Sequence, residues 1–236
     1  GTYGMAVLTA LTAQNTQGVS GVHPVPPRFV FDQIKAIFSD IRVDAVKIGM
    51  IATRDIAETV AEALAARPGV PIVLDPVMIA KGGASLLADD AVEALNRRLL
   101  SLATVITPNL PEAAALLGEA EATDRATMGA QAERLLARGP RTVLVKGGHL
   151  PGDESPDVFA YDGTLAWLES GRTATRNTHG TGCTLSSAIA AELGKGLAPL
   201  EAVTVAKTYV SAAISRSGEL SVGLGHGPVH HFHETW

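Results

Sequence analysis

The chain holds one cysteine, Cys183, in 236 residues, so no internal disulfide can form and a reducing, cytoplasmic setting is the default. Aromatic residues are scarce, at 4%. The core must therefore be built from Ala, Val, Leu and Ile, which suits close packing of helices on a sheet. The net charge of −5 gives no support for a nucleic-acid or anionic-membrane partner. No apolar run approaches the roughly 18 residues needed to cross a bilayer, and no signal peptide is visible. No glycine run is followed by Gly-Lys-Ser/Thr, which disfavours a Walker-type nucleotide site. Repeats and low-complexity stretches are missing too. What remains is a chain 46% hydrophobic and 18% charged, with a mean hydropathy of +0.20. That is the composition of a well-cored globular protein, expected as one domain over residues 1–236. The chain opens on Gly1 inside what reads as an ordered segment, so an upstream piece is expected.

The alternation of apolar runs and amphipathic stretches predicts an α/β fold with a mostly parallel sheet covered on both sides. Met5 to Leu11 reads as a buried strand, followed by a short β-like excursion at Gly18–Val25 that Pro26 and Pro27 close. Helices are expected with Phe31, Ile34, Ile37 and Phe38 on one face, over Arg54–Ala66, from Asp89 to Leu100, near Glu112–Leu117 and over Met128–Arg138. Between them lie strand candidates at Ala45–Ile48, Pro71–Leu74, Thr104–Ile106 and Thr142–Val145, with a glycine loop at Lys81-Gly82-Gly83. Asp157–Leu168 alternates like a hairpin turning at Asp162-Gly163.

Two features carry chemistry. The first is Asn177-Thr178-His179-Gly180-Thr181-Gly182-Cys183, a glycine turn feeding a helix whose apolar residues Leu185, Ile189 and Leu193 recur at helical spacing. Unpaired N–H groups and the helix dipole at such a start favour an anion, and would stabilise a thiolate at Cys183. A plain helix start with a small buried residue at 183 fits the same letters. The second is the clustering of polar residues just past strand ends: Gln14, Met50, Asp75, Asn109, Glu112 and Lys146. Ligands of open α/β sheets bind at that rim. Two carboxylates, a lysine and an anion turn are the inventory of phosphoryl transfer. Each residue also has an ordinary reading: Asp75 and Asn109 as turn formers, Glu112 as a first-turn helix acid, Lys146 as a solvated lysine. The tail histidines His226, His230, His231 and His233 read as a flexible terminus rather than a metal site.

Seven segments in order resemble the hydroxymethylpyrimidine/phosphomethylpyrimidine kinases of thiamine biosynthesis, in the ribokinase-like superfamily. They are Tyr3-Gly4-Met5 with Leu11–Thr16, Lys47–Met50, Asp75–Met78, Thr107-Pro108-Asn109 with Glu112, Val145–His149, Thr178–Cys183 and Gly225–Val229. The Gly-Thr-Gly-Cys turn is the most telling, because sugar kinases of the superfamily usually carry Asp at the cysteine's place. The resemblance implies a three-layer α/β/α fold and ATP- and Mg²⁺-dependent phosphorylation of 4-amino-5-hydroxymethyl-2-methylpyrimidine, then of its monophosphate. It implies Gln14, Met50 and Val77 around the pyrimidine, and Cys183 as base beside the amides of Gly180, Thr181 and Gly182. Lys146 would meet the ATP phosphates with Asn109 and Glu112 nearby, and Asp75 and Glu112 would hold Mg²⁺. A homodimer is implied as well. Family members begin with a glycine-rich strand and loop that does not precede Gly1, so the sheet is expected to lack its usual first strand. Two rivals stand beside this: a pyridoxal-kinase-like activity, and a non-catalytic protein that binds nucleotide or pyrimidine.

Overall fold

A computed structural model describes residues 1–78 and 89–235. Six strands form one sheet in the order β3-β4-β5-β6-β7-β8: β3 (Val46–Ile48), β4 (Ile72–Leu74), β5 (Val105–Ile106), β6 (Thr142–Lys146), β7 (Asp157–Tyr161) and β8 (Thr164–Leu168). The first four run parallel, β7 runs antiparallel to β6, and β8 runs antiparallel to β7. Strand residues alternate between two hydrophobic clusters, as the period of two requires. Val73, Val105, Leu144 and Phe159 pack with α6 (Thr181–Gly194) and α7 (Pro199–Ser215). Ile72, Leu74, Ile106, Val143, Val145 and Val158 point the other way. There they meet α1 (Pro27–Asp40), α2 (Arg54–Ala65), α3 (Asp89–Ala94), α4 (Leu110–Leu117) and α5 (Arg125–Leu136). The architecture is therefore three layers, α/β/α.

Local chemistry accounts for the element ends. Thr53 caps α2 and Asp124 caps α5 through side-chain acceptors. The β7–β8 hairpin turns at Asp162 and Gly163 with φ of 45° and 71°, the two left-handed residues of a type I′ turn. The helix expected from Asp89 to Leu100 keeps α geometry only to Ala94, then passes through a π-turn at Leu95–Leu99 and a 3₁₀ turn at Leu100–Leu102. The expected glycine loop Lys81-Gly82-Gly83 lies outside the described residues.

Two expectations are corrected. Met5 to Leu11 is not a buried strand. Pairing begins at Ala10, where β1 (Ala10–Asn15) meets β2 (Gly18–Pro24) in an antiparallel ribbon separate from the main sheet. The ribbon stands out from the body: β1 is exposed almost throughout. Apolar residues alone did not make the upstream stretch a strand, because a strand needs a neighbouring backbone. The N–H and C=O of Leu8 instead meet the carboxamide of Gln33. Nor is the histidine tail flexible: His230 and His233 are 2% and 7% exposed, packed against α7.

Candidate active site

Parallel strands deliver their C-terminal ends to one rim, and the predicted cluster forms there. Asp75 follows β4, and its N–H donates to Ile48 O of β3. Lys146 ends β6, with its N–H on Pro108 O. Between them α4 begins in a reciprocal cap: Glu112 N–H donates to Asn109 Oδ1 and Asn109 N–H to Glu112 Oε2, both at 2.8 Å. The ordinary reading of Glu112 as a first-turn helix acid is thus realised, while Asn109, read as a turn former, is the cap of α4. The same Glu112 carboxylate also faces Lys146 at 3.8 Å.

Lys146 Nζ donates to Asp75 Oδ1 at 3.0 Å, and Thr107 Oγ1 donates to the same oxygen at 3.1 Å. Ser186 Oγ, on α6, donates to Asp75 Oδ2 at 3.1 Å. Asp75 is 2% exposed. Burial pushes its carboxyl up, but Lys146, Lys47 and the donated hydrogen bonds outweigh that and leave it below the ordinary aspartate value. Burial wins at Glu112, whose carboxyl is raised despite Lys146 and the Asn109 N–H. Burial lowers the Lys146 ammonium, but Asp75 and Glu112 more than compensate and raise it. With both acids ionised, their two negative charges are met by the Lys146 ammonium between them and by Lys47, whose charge acts on Asp75.

The anion turn closes over this group. Gly180 caps α6 with φ 76° and supplies no side-chain acceptor, so the first-turn N–H groups of Gly182 and Cys183 stay uncapped. A methyl placed on Gly182 would sit 3.3 Å from Lys146 Nζ and 3.9 Å from Asp75 Oδ2. The turn's backbone therefore reaches the lysine and the aspartate directly. Cys183 is exposed at the mouth, and a negative charge on it would help hold the Lys146 proton. A cavity of about 400 Å³ lined by Trp167, Leu168, Thr204 and Lys207 lies apart, between β8 and α7.

The pyrimidine candidates fall in two places. Met50 and Val77 follow the adjacent strands β3 and β4, both half-buried. Nearby, Ala52 has φ 61° in a tight turn closed by Thr53 N–H on Ile51 O, a strained form of the kind concentrated at ligand sites. Gln14 sits on the exposed ribbon, at the bulge between Ala13 and Gln14. The ribbon reaches the rim through Thr9 Oγ1, which donates to Met50 O at 2.7 Å.

Sequence reasoning passed over Thr107, Ser186 and Lys47. Ser186 had a signal, since it lies four residues after Gly182 and so on the same helix face. Thr107 and Lys47 had only their place near a strand end and in segments that resemble the family's, with no role attached.

The chain as a whole has counterparts among known proteins. The family model described as phosphomethylpyrimidine kinase matches residues 1–230. The chain belongs to the phosphomethylpyrimidine kinase family. The kinase is 53% identical over 236 residues to the hydroxymethylpyrimidine/phosphomethylpyrimidine kinase of Rhizobium meliloti (strain 1021), covering 100% of this chain and 88% of that protein. Among solved structures, phosphomethylpyrimidine kinase from Clostridium difficile 630 matches with a TM-score of 0.80 at 41% identity, over 91% of the kinase and 87% of that chain. An ADP complex of Bacillus subtilis pyridoxal kinase matches with a TM-score of 0.88 at 36% identity, over 98% and 87%. The ribokinase-like fold and a phosphotransferase activity follow from this membership. Among the described residues, no helix is long and apolar enough to cross a membrane.

Proposed function

We propose that the kinase transfers the γ-phosphoryl group of ATP to 4-amino-5-hydroxymethyl-2-methylpyrimidine, and a second one to the resulting monophosphate, in thiamine biosynthesis. The observation that carries this reading is the approach of the Gly182 backbone to Lys146 and Asp75. That approach puts amide donors and a buried ammonium around one point.

In this reading the substrate hydroxyl attacks the γ-phosphorus in line. The new O–P bond forms as the bond to ADP breaks, and the hydroxyl proton passes to Cys183. The amides of Gly180, Thr181 and Gly182 meet the equatorial oxygens, and Lys146 follows the charge on the phosphates. Gln14 reads the edge of the aminopyrimidine, with Met50 and Val77 against its faces.

The donor set fits Mg²⁺ through water rather than by direct ligation. Both Asp75 oxygens already accept hydrogen bonds, and Glu112 is bonded to the Asn109 N–H. Mg²⁺ keeps several of its waters in such sites. The ion would neutralise phosphate charge, with Asp75, Glu112 and Asn109 orienting its hydration shell.

Turnover of the pyrimidine alcohol by wild type, Cys183→Ala and Lys146→Ala tests the assignment. Unchanged rates in both variants would sink it. A second reading, phosphorylation of vitamin B6 alcohols, is favoured by the match to a pyridoxal kinase over 98% of the chain. Comparing kcat/KM on pyridoxal and on the pyrimidine separates the two, and Gln14→Leu weakens the pyrimidine selectively if the first is right. We further place the kinase in the cytoplasm as a homodimer, supported by the apolar Leu11 and Val22 exposed on the ribbon. A monomer in sedimentation velocity would remove that part.

A further inference from the structure

The C-terminal segment carries the one family-like motif to which no role has been attached, Gly225-His226-Gly227-Pro228-Val229. Its course is fixed at three points. At the ribbon, His226 N–H donates to Thr16 O at 2.9 Å and Gly225 N–H to Thr16 Oγ1 at 3.2 Å. One residue further on, Gly227 O accepts from His179 N–H of the anion turn at 3.0 Å, and Pro228 bridges to His179. Beyond that, His230 N–H donates to Ala213 O of α7, and Val229 is 1% exposed. Adjacent residues of one short segment therefore hold the turn of the ribbon and the phosphate-facing turn.

Both contacts are too close for a side chain. A methyl on Gly225 would strike the Thr16 carbonyl, and one on Gly227 would strike the Asn177 carboxamide. Asn177 is itself locked, its Nδ2 donating to Ser217 O at 2.8 Å and its N–H to Thr175 Oγ1 at 3.1 Å. Thr16 lies two residues after Gln14, and the ribbon is otherwise exposed. The base of the ribbon is tied to the body by Thr9 on Met50 O and by Leu8 on Gln33, and its tip, two residues from Gln14, is held by this segment.

We propose that residues 223–229 form a positioning strap that sets the spacing between the ribbon and the anion turn, with Thr16 and Asn177 as positioning residues at its two ends. Neither touches the reacting atoms. Thr16 fastens the strap to the ribbon that bears Gln14, and Asn177 seats it beside the segment that leads into Gly180–Gly182. The kinetic side of this inference rests on the proposed pyrimidine kinase reading; the structural side does not.

The test uses Thr16→Ala, Asn177→Ala and the double variant, all in the full chain. Hydrogen exchange of the 178–183 amides is followed by mass spectrometry in the absence of ligand, and kcat/KM is measured on the pyrimidine. Thr16→Ala removes one half-buried hydroxyl, so the fold is retained. It is expected to speed exchange in 178–183, although it touches none of those residues. Each single variant should lower kcat/KM about three- to tenfold, Thr16→Ala through its lost hydrogen bond to Gly225 and Asn177→Ala through lost packing against Gly227. The double should cost far less than the product of the two, because both loosen the seating of one segment, Thr16→Ala at Gly225 and Asn177→Ala at Gly227. Faster exchange confined to residues near 16, or strictly multiplicative kinetic losses, overturns the strap. If wild type fails to turn over the pyrimidine, the functional reading falls and the exchange data alone decide the strap.

Discussion

Two buried lysine–aspartate pairs lie on neighbouring strands, and they behave differently. Lys146 meets Asp75 at 3.0 Å and Lys207 meets Asp157 at 2.6 Å. Both aspartates are almost fully buried. Yet the Asp75 carboxyl lies below its ordinary value, while that of Asp157 is raised because burial outweighs Lys207 and the Gly147 N–H. The difference is one of company. Asp75 faces a second lysine, Lys47, and two hydroxyls, whereas Asp157 has one close lysine and one amide. Lys146, moreover, divides itself between two acids. The Asp157 pair is balanced and complete, as a structural brace is. The Asp75 group is instead a network of two acids and two lysines beside the first turn of α6. Buried ion pairs of similar geometry can thus keep different company: a closed pair in one place, a wider network beside a glycine turn in the other.

The sharpest break in that comparison comes from Lys146→Met. It should lower kcat by about 10²–10³-fold, the cost of a missing charge stabiliser, as steady-state turnover would show. Lys207→Met should instead be felt mainly in stability. An uncompensated buried Asp157 costs about 3–5 kcal/mol in denaturant unfolding, while kcat stays within tenfold of wild type. Pairing Lys207→Met with Asp157→Leu should return most of that stability, because well-packed apolar residues often match a buried pair. The matching repair at 146 and 75 should restore no activity. If the 207 variant proves the inactive one, the roles are reversed.

A gentler test uses pH. Glu112 binds its proton more tightly folded than unfolded, so its contribution favours the folded state at low pH. That contribution is lost as pH rises from the ordinary glutamate value through the raised one. Asp75 works oppositely, and its stabilisation is lost as pH falls below the ordinary aspartate value. Glu112→Gln should therefore flatten the pH dependence of stability in the upper window and leave the acid limb in place, as unfolding midpoints across pH would report. The smallest effect is expected at Asn109→Ala, where loss of the α4 cap costs about 1 kcal/mol in the same assay.

Much of the rim was legible because strand ends and glycine turns leave marks in sequence. Asp75, Lys146 and the Gly180–Cys183 turn could be named from the punctuation around them. Thr107 and Ser186 could not be given their role so readily, since a single hydroxyl beside an apolar run has many uses. Ser186 meets an aspartate 111 positions away, a distance no local pattern records. The ribbon misled for a different reason: Met5–Leu11 is apolar enough for a strand, and only the position of its neighbours decides whether it pairs. In the tail, four histidines suggested loose chain, whereas imidazoles also bury well as flat, half-apolar rings against a helix.

The cap at the start of α4 has an evolutionary corollary. Because one carboxylate both begins a helix and faces the ammonium, retuning the lysine by replacing this acid would unfasten the helix that bears it. Drift at position 112 is thereby restricted from two directions at once.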